Sequence, residues 1–339
     1  MTISSKNGRV HLSVSAARDL AEKVLRGNGY NEREARVIGD HVLDAALCGY
    51  EYSGLPKLLD CLEHARAKLP RSPMRIVRET PVSVFFDAGN NNGMLAMRDA
   101  TQAAIERAQQ SGIVLVGVTN SWMSARSAYY VEMIARAGLV GIHTVGSAPQ
   151  VAPLGGAAAV LGTNPIAIGL PRAGDPFVLD MGTSVMTWTD LSLHERLGQS
   201  IPPGAAIDAQ GLPTQDPGQA RRGALLAFGG HKGYGLALAM QALAMLTMDA
   251  SLTKDKNYGY LIIAFKPDLL VPLEDFKRAL EALIERVKSA PRQAGVDEIR
   301  IPSERAFRER EQRLRDGIEI DERIYVALNR YAAPGSRSA

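Results

Sequence analysis

Apolar residues recur every three to four positions through the first seventy residues, then at every second position, then in short runs among glycine and proline. Leu20, Ala21, Val24 and Leu25 share one helical face, which Ser13 or Ser15 caps and Gly27-Asn28-Gly29 stops. Asn31 caps a second helix with Ala35, Val37, Ile38, Val42, Leu43 and Ala46 on its apolar side. A third helix is expected from about Pro56, a residue tolerated in a first turn, to Leu69. After Pro70 the period changes: Val82 to Phe86 alternates, Asp87 to Gly93 is a polar turn, and the helix Leu95 to Gln110 precedes an apolar strand, Ile113 to Val118.

From Thr119 to Arg222 the apolar runs Leu139 to Val145, Ile166 to Leu170 and Phe177 to Met181 stand among glycine, proline, threonine and asparagine. Such strands deliver loops to a site, because binding groups gather on loops held by a rigid scaffold. Ile201 to Pro217 reads as a loop. A helix follows Gly235, then a strand at Tyr260 to Phe265, a helix from Leu273 to Val287, a strand at Glu298 to Pro302, charged terminal helices, and a tail expected to fray after Ala332. The mixture makes an α+β or mixed α/β chain.

Composition narrows the function. The chain is 46% hydrophobic and 22% charged over 339 residues, which suits a soluble globular protein of one large domain or two to three smaller ones. A net charge of +3 is close to neutral and the charges of Arg305 to Arg315 alternate in sign, so no nucleic-acid track is expected. No apolar run is long enough for a membrane span, and Met1 to His11 lacks the apolar core of a signal peptide. Cys48 and Cys61 lack CxxC spacing and read as buried thiols in a reducing cytoplasm.

The most informative stretch is Gly229-Gly230-His231-Lys232-Gly233-Tyr234-Gly235, a glycine-rich turn before an apolar helix, Leu236 to Leu246. Glycines allow close backbone approach, and a helix N-terminus beside a lysine suits an anion or a carbonyl oxygen; a plain turn with a surface lysine is the alternative. Gly162-Thr163-Asn164-Pro165 is a tight polar turn, structural or ligand-facing. Asp180-Met181-Gly182-Thr183-Ser184 ends a strand with hydroxyls suited to ribose or phosphate oxygens, unless Thr183 or Ser184 caps a helix. A Gly-x-Gly-x-x-Gly fingerprint, a metal-ligand cluster and a Gly-x-Ser-x-Gly elbow are all missing.

In order along the chain, Leu161 to Pro165, Leu179 to Ser184, Ile201-Pro202-x-Gly204, Asp208 to Pro217 and Gly229 to Leu236 resemble the type-2 malate/L-lactate dehydrogenase family. That family also includes ureidoglycolate dehydrogenases, 2,3-diketogulonate reductases and cyclic ketimine (piperideine/pyrroline carboxylate) reductases. The resemblance runs from about residue 12 to 330. It implies a non-Rossmann NAD(P)-binding fold, a homodimer, and a helical domain built from both termini. The domains expected are 1–75 with 285–339 (helical), 76–120 with 223–284 (α/β core) and 121–222 (cofactor). It implies cofactor contacts at Ser121, Ser147, Thr163, Asn164, Asp180, Met181, Gly182, Thr183, Ser184, His231, Lys232, Gly233, Ser303 and Glu304. Asp190 stands where the family often carries lysine, and the resemblance implies that, near an adenosine ribose, it disfavours a 2′-phosphate and leans the cofactor toward NADH.

The departures carry the chemistry. Where the family reads Ser-His-Gly with a later arginine, this chain reads Tyr52-Ser53-Gly54-Leu55-Pro56-Lys57, so Ser53 and Lys57 replace histidine and arginine. At the second family histidine stands Met123, within Asn120-Ser121-Trp122-Met123-Ser124-Ala125-Arg126. Ketone reduction needs a proton at the developing alkoxide, a task for histidine; neither serine nor methionine replaces it. A protonated ketimine needs only hydride and orientation. Tyr52 is a rival acid, should Lys57 or Arg126 lower its pKa. Lys57 still offers a point charge to a carboxylate, and Arg126 faces either solvent or a second acidic group. Tyr52, Ser53, Lys57, Met123 and Arg126 are the catalytic candidates. The readings that result are an active reductase of a small 2-oxo acid or cyclic ketimine carboxylate, or a silent cofactor-binding sensor or structural protein.

Overall fold

The computed structural model describes residues 3–6, 8–248 and 258–332; the tail after Ala332 lies outside them. Its centre is a seven-stranded sheet in the spatial order Arg75–Thr80, Ser83–Asp87, Ile113–Thr119, Gly259–Phe265, Val140–Gly146, Ile166–Leu170, Phe177–Met181. Ser83–Asp87 and Ile113–Thr119 are parallel, joined by the crossover helix Gly93–Ser111, and the other pairings are antiparallel. The mixed α/β fold class expected above is the one observed.

Local chemistry sets the helix starts. The Ser13 hydroxyl accepts from the Ala16 N–H at the head of Val14–Gly27. Asn31 and Glu34 form a reciprocal capping box on Glu32–Leu47, and Asn92 caps Gly93–Ser111. The last helix, Glu322–Ala332, lies on Val14–Gly27, and Glu304–Asp316 lies on Glu32–Leu47. One apolar core runs from these terminal helices into the sheet, from Leu20 and Leu328 to Val116 and Ile262.

Several elements depart from expectation. The third helix is shorter, Lys57–Glu63, because His64 turns extended (ψ 134°) before a 3-10 turn at Ala65–Lys68. Residues 298–302 form no strand; Glu298 pairs with Arg308 on the following helix instead. The Ile201 to Pro217 loop contains two short strands, Ala206–Ile207 and Pro213–Thr214, which pair with each other while the first also pairs with Ala224–Leu225. Helix His231–Ala244 starts five residues before the predicted Leu236. Strands Ile3–Lys6, Arg9–Leu12 and Ile318–Asp321 join both ends of the chain in a small sheet that the polar N-terminus did not advertise.

Candidate active site

Three chain segments converge on one cavity of about 200 Å³. The first is the turn Glu51–Ser53 and the start of helix Lys57–Glu63, which bring Tyr50, Tyr52, Ser53 and Lys57 to the wall. Gly54 lets that turn sit against Ala46, where an added Cβ would come within 2.9 Å of the Ala46 Cβ. The second is the loop after strand Ile113–Thr119, which supplies Met123, Ala125 and Arg126. The third comprises the ends of later strands and the start of helix Trp188–Arg196, with Ser147, Thr163, Asp180, Gly182, Trp188 and Thr189.

The middle loop is the most strained part of the wall. Asn120, Met123 and Ala125 all have left-handed φ, at 52°, 60° and 58°, a conformation that L-residues adopt at a cost only when surroundings enforce it. Here the enforcement is visible. Ser121 Oγ donates to the Asn91 carbonyl (2.8 Å), Trp122 Nε1 to the Asn90 carbonyl (3.1 Å), and the Arg126 N–H to His41 Nε2 (3.1 Å). Past the loop, the Ala128 N–H donates to Asp180 Oδ2 at 2.7 Å. Met123 Sδ lies 3.3 Å from Cys61 Sγ; both cysteines are free and buried, as expected.

Lys57 is buried and its ammonium donates to the Thr189 hydroxyl. Arg126 is also buried; its Nη1 holds Asp44 at 2.7 Å and its guanidinium lies over the Tyr50 ring, 5.2 Å from the centroid. Burial pushes the Asp180 carboxyl upward, with the Arg126 charge and the backbone N–H groups pulling the other way. Burial likewise raises the Tyr52 hydroxyl, helped by Asp180 and Asp190, and the opposing pull of Arg126 does not prevail. The expectation of a cation-lowered Tyr52 is therefore corrected: this phenol holds its proton more tightly than a free tyrosine.

None of the six histidines lines the cavity. His41 is pushed down to about 3 by burial and by the Arg126 and Lys57 charges, and His143 to about 4 by burial. His64 is lowered to about 4 by burial and by Arg66 and Lys57, and stacks on Trp122 at 4.7 Å. No group of three or more His, Cys, Asp or Glu side chains placed to hold a metal ion occurs among the described residues.

The candidate residues fall into two sets. Tyr52, Ser53, Lys57, Met123, Arg126, Ser147, Thr163, Asp180 and Gly182 meet at the cavity. The others stand behind it or beyond it. Ser121 spends its hydroxyl on the loop, and Asn164 (φ 30°) donates to the Ala237 carbonyl and to Gln241 Oε1, both at 3.0 Å. Thr183 bonds back to the Thr163 carbonyl and Ser184 Oγ to the Met186 carbonyl, while Thr187, not Thr183 or Ser184, caps the next helix. Met181 closes strand Phe177–Met181 opposite Ile166. Ser303, left-handed at φ 62°, precedes helix Glu304–Asp316, and the Glu304 carboxylate is occupied by Lys288 and Arg308.

His231, Lys232 and Gly233 form the first turn of a fourteen-residue helix with no side-chain cap. Gly229 and Gly230 have φ of 57° and 61° and open space where a Cβ would project, whereas a Cβ on Gly233 would lie 1.9 Å from the Phe228 carbonyl oxygen. The Phe228 N–H donates to the Thr183 carbonyl and Ala227 bridges Ser184, so this helix start is sewn beside the Gly182 wall. Sequence reading missed Tyr50, Tyr258 and Tyr260 at the cavity. The Tyr-x-Tyr spacing of the latter two, at the start of a central strand, was the available signal.

The sequence model of the malate/L-lactate dehydrogenase family matches residues 12–329. The chain belongs to that family. It is 33% identical over 330 residues to a malate dehydrogenase of Pyrococcus abyssi, covering 91% of each chain. It is 32% identical over 335 residues to a Δ1-pyrroline-2-carboxylate/Δ1-piperideine-2-carboxylate reductase of Pseudomonas aeruginosa, covering 94% of this chain and 98% of that one. The crystal structure of a dehydrogenase from Sinorhizobium meliloti superposes with a TM-score of 0.87 at 30% identity, over 96% of this chain and 98% of that one. Family membership makes the protein an oxidoreductase of the dehydrogenase or reductase type.

Proposed function

We propose that this chain is an NAD(P)-dependent reductase of a small carboxylated substrate, a cyclic ketimine in preference to a 2-oxo acid. The observation that carries the reading is a cavity with two buried cations, Lys57 and Arg126, and no imidazole. The alkoxide that hydride addition to a ketone would form has no histidine to protonate it there. A protonated imine carries its proton in and needs only to be held. Tyr52, with its hydroxyl kept protonated by burial, is the donor left for the ketone route.

The residues present fit a nicotinamide dinucleotide. Ser147 keeps a buried hydroxyl without a partner among the described residues at the cavity wall, and buried polar groups ordinarily have one. The helix start at Gly230-His231-Lys232 has no side-chain cap and carries a lysine, the setting a pyrophosphate favours. When bound, the nicotinamide supplies or accepts hydride. Lys57 holds the substrate carboxylate, Ser147 and Gly182 border the reacting end, and the tyrosines exclude water. Asp190 favours NADH by repelling a 2′-phosphate.

The same reading includes a homodimer and a cytoplasmic setting. In support of the dimer, helix His231–Ala244 is apolar on its buried side, with Ala237, Met240 and Ala244, and also on its exposed side, with Leu238 and Leu243 followed by Met245 and Leu246. A helix apolar all round is ordinarily covered on all sides. Among the described residues no helix is long and apolar enough to cross a membrane.

Titration with NADH and NADPH, followed by quenching of tryptophan fluorescence, tests the cofactor; a panel of cyclic ketimine carboxylates and 2-oxo acids tests the substrate. NADH binding and oxidation with ketimines is the expected result. Strong turnover of oxo acids alone would remove the imine preference. The loss of both family histidines also favours a second reading, a silent cofactor-binding paralogue, and binding without oxidation by any panel member would select it.

A further inference from the structure

We propose that Arg126 is a second anion-binding group of the cavity, so that the preferred substrate carries two acidic groups, a carboxylate at Lys57 and another oxyanion at Arg126. This rests on the cavity being the substrate site. Arg126 is fixed from three sides. Its backbone N–H donates to His41, its Nη1 pairs with Asp44, and its face rests on Tyr50. Asp44 is in turn shared with Arg310 at 3.0 Å, and Arg310 clasps both oxygens of Glu132 at 2.7 Å. Arg136 takes up the same Glu132 at 2.8 Å.

One end of the guanidinium is left over. Arg126 Nη2 is buried and has no partner among the described residues. A buried donor without an acceptor is costly, and here it belongs to a side chain on the cavity wall. The nearby carboxylates do not answer it. Asp44 already serves two arginines, and Asp180 is bound by the Ala128 N–H, with burial favouring its neutral form. Lys57 has the neutral Thr189 as its hydrogen-bond acceptor, with no carboxylate in ion-pair contact among the described residues. A monoanion at Lys57 leaves Arg126 Nη2 without an acceptor. A dianion supplies both groups, the second as a charge-assisted hydrogen bond to Nη2.

Binding of malonate and of acetate to the whole protein, measured by calorimetry, tests this without requiring turnover. Malonate is expected to bind at least tenfold more tightly than acetate to the wild type. Arg126→Met should remove that difference while leaving acetate binding within about twofold, and Arg126→Lys should restore part of it. Equal binding of the two anions by the wild type, or an equal loss for both in Arg126→Met, would overturn the proposal. Should Arg126→Met fail to fold, the wild type and Arg126→Lys carry the comparison alone. In the turnover arm, oxaloacetate is expected to exceed pyruvate in kcat/KM through a lower KM. If neither these oxo acids nor the cyclic ketimine carboxylates are turned over, the reductase reading fails, while the anion titration still decides the role of Arg126.

Discussion

Met123 occupies the cavity wall in a left-handed conformation, with its sulfur against Cys61. Histidine is among the residues that tolerate this region better than most, so Met123→His is a feasible return of an imidazole. Positioned acids contribute about 10²–10⁴-fold to proton transfer, and the variant is expected to raise kcat for 2-oxo acids at least tenfold and ketimine turnover little. Its rate should fall as pH rises through the new imidazole's pKa, because the acid form donates. Steady-state kinetics across pH 5–9 checks this; an unchanged oxo-acid rate would place the reacting carbon away from Met123. At this scale the substituted positions were legible as departures from an ordered motif. The fate of Asn164 and Ser121 was not, since a polar residue reads alike whether it faces a ligand or fastens a loop.

Among the elements, helix His231–Ala244 shows how a local rule is overruled by packing. Four glycines within seven residues, Gly229 to Gly235, suggest a turn, yet the helix begins at His231 and takes in Gly233 and Gly235. Gly233 is required by contact, because the Phe228 carbonyl occupies the place of a side chain. Gly233→Ala is expected to cost about 1–3 kcal/mol by overpacking and to weaken NADH binding several-fold by shifting the helix start. Gly235→Ala meets open space and should do neither. Thermal melts and fluorescence titration of the two variants separate these outcomes; equal behaviour would mean the first turn does not depend on that close approach. Capping signals at Ser13 and Asn31 were readable because a cap is a contact within four residues.

Across the whole molecule, three neutral histidines are stored in the fold. His41, His64 and His143 are held at about 3, about 4 and about 4, whereas the unfolded chain takes up protons near pH 6.5. The unfolded state thus binds more protons below that pH, so stability is complete above about pH 6.5 and falls as pH drops toward 4. For His143 alone the loss is about 2–3 kcal/mol by pH 4. Asp44 and Asp180, raised by burial, act in the opposite sense at the acid end. Melting temperatures between pH 7.5 and 4.5 should decline steadily, and less so in His143→Gln; a flat profile would mean these rings reach solvent. The chain's own residues determined the periodic helices, the alternating strands, the near-neutral charge and the loss of both family histidines. These are properties of neighbours in sequence. Only the tertiary structure decided that Lys57 meets Thr189 across 132 positions, that Arg126 is buried with one nitrogen unpartnered among the described residues, and that Gly259–Phe265 enters the sheet between two strands over a hundred residues upstream. Burial and partnership between distant residues are set by how the whole core closes, and no local pattern records them.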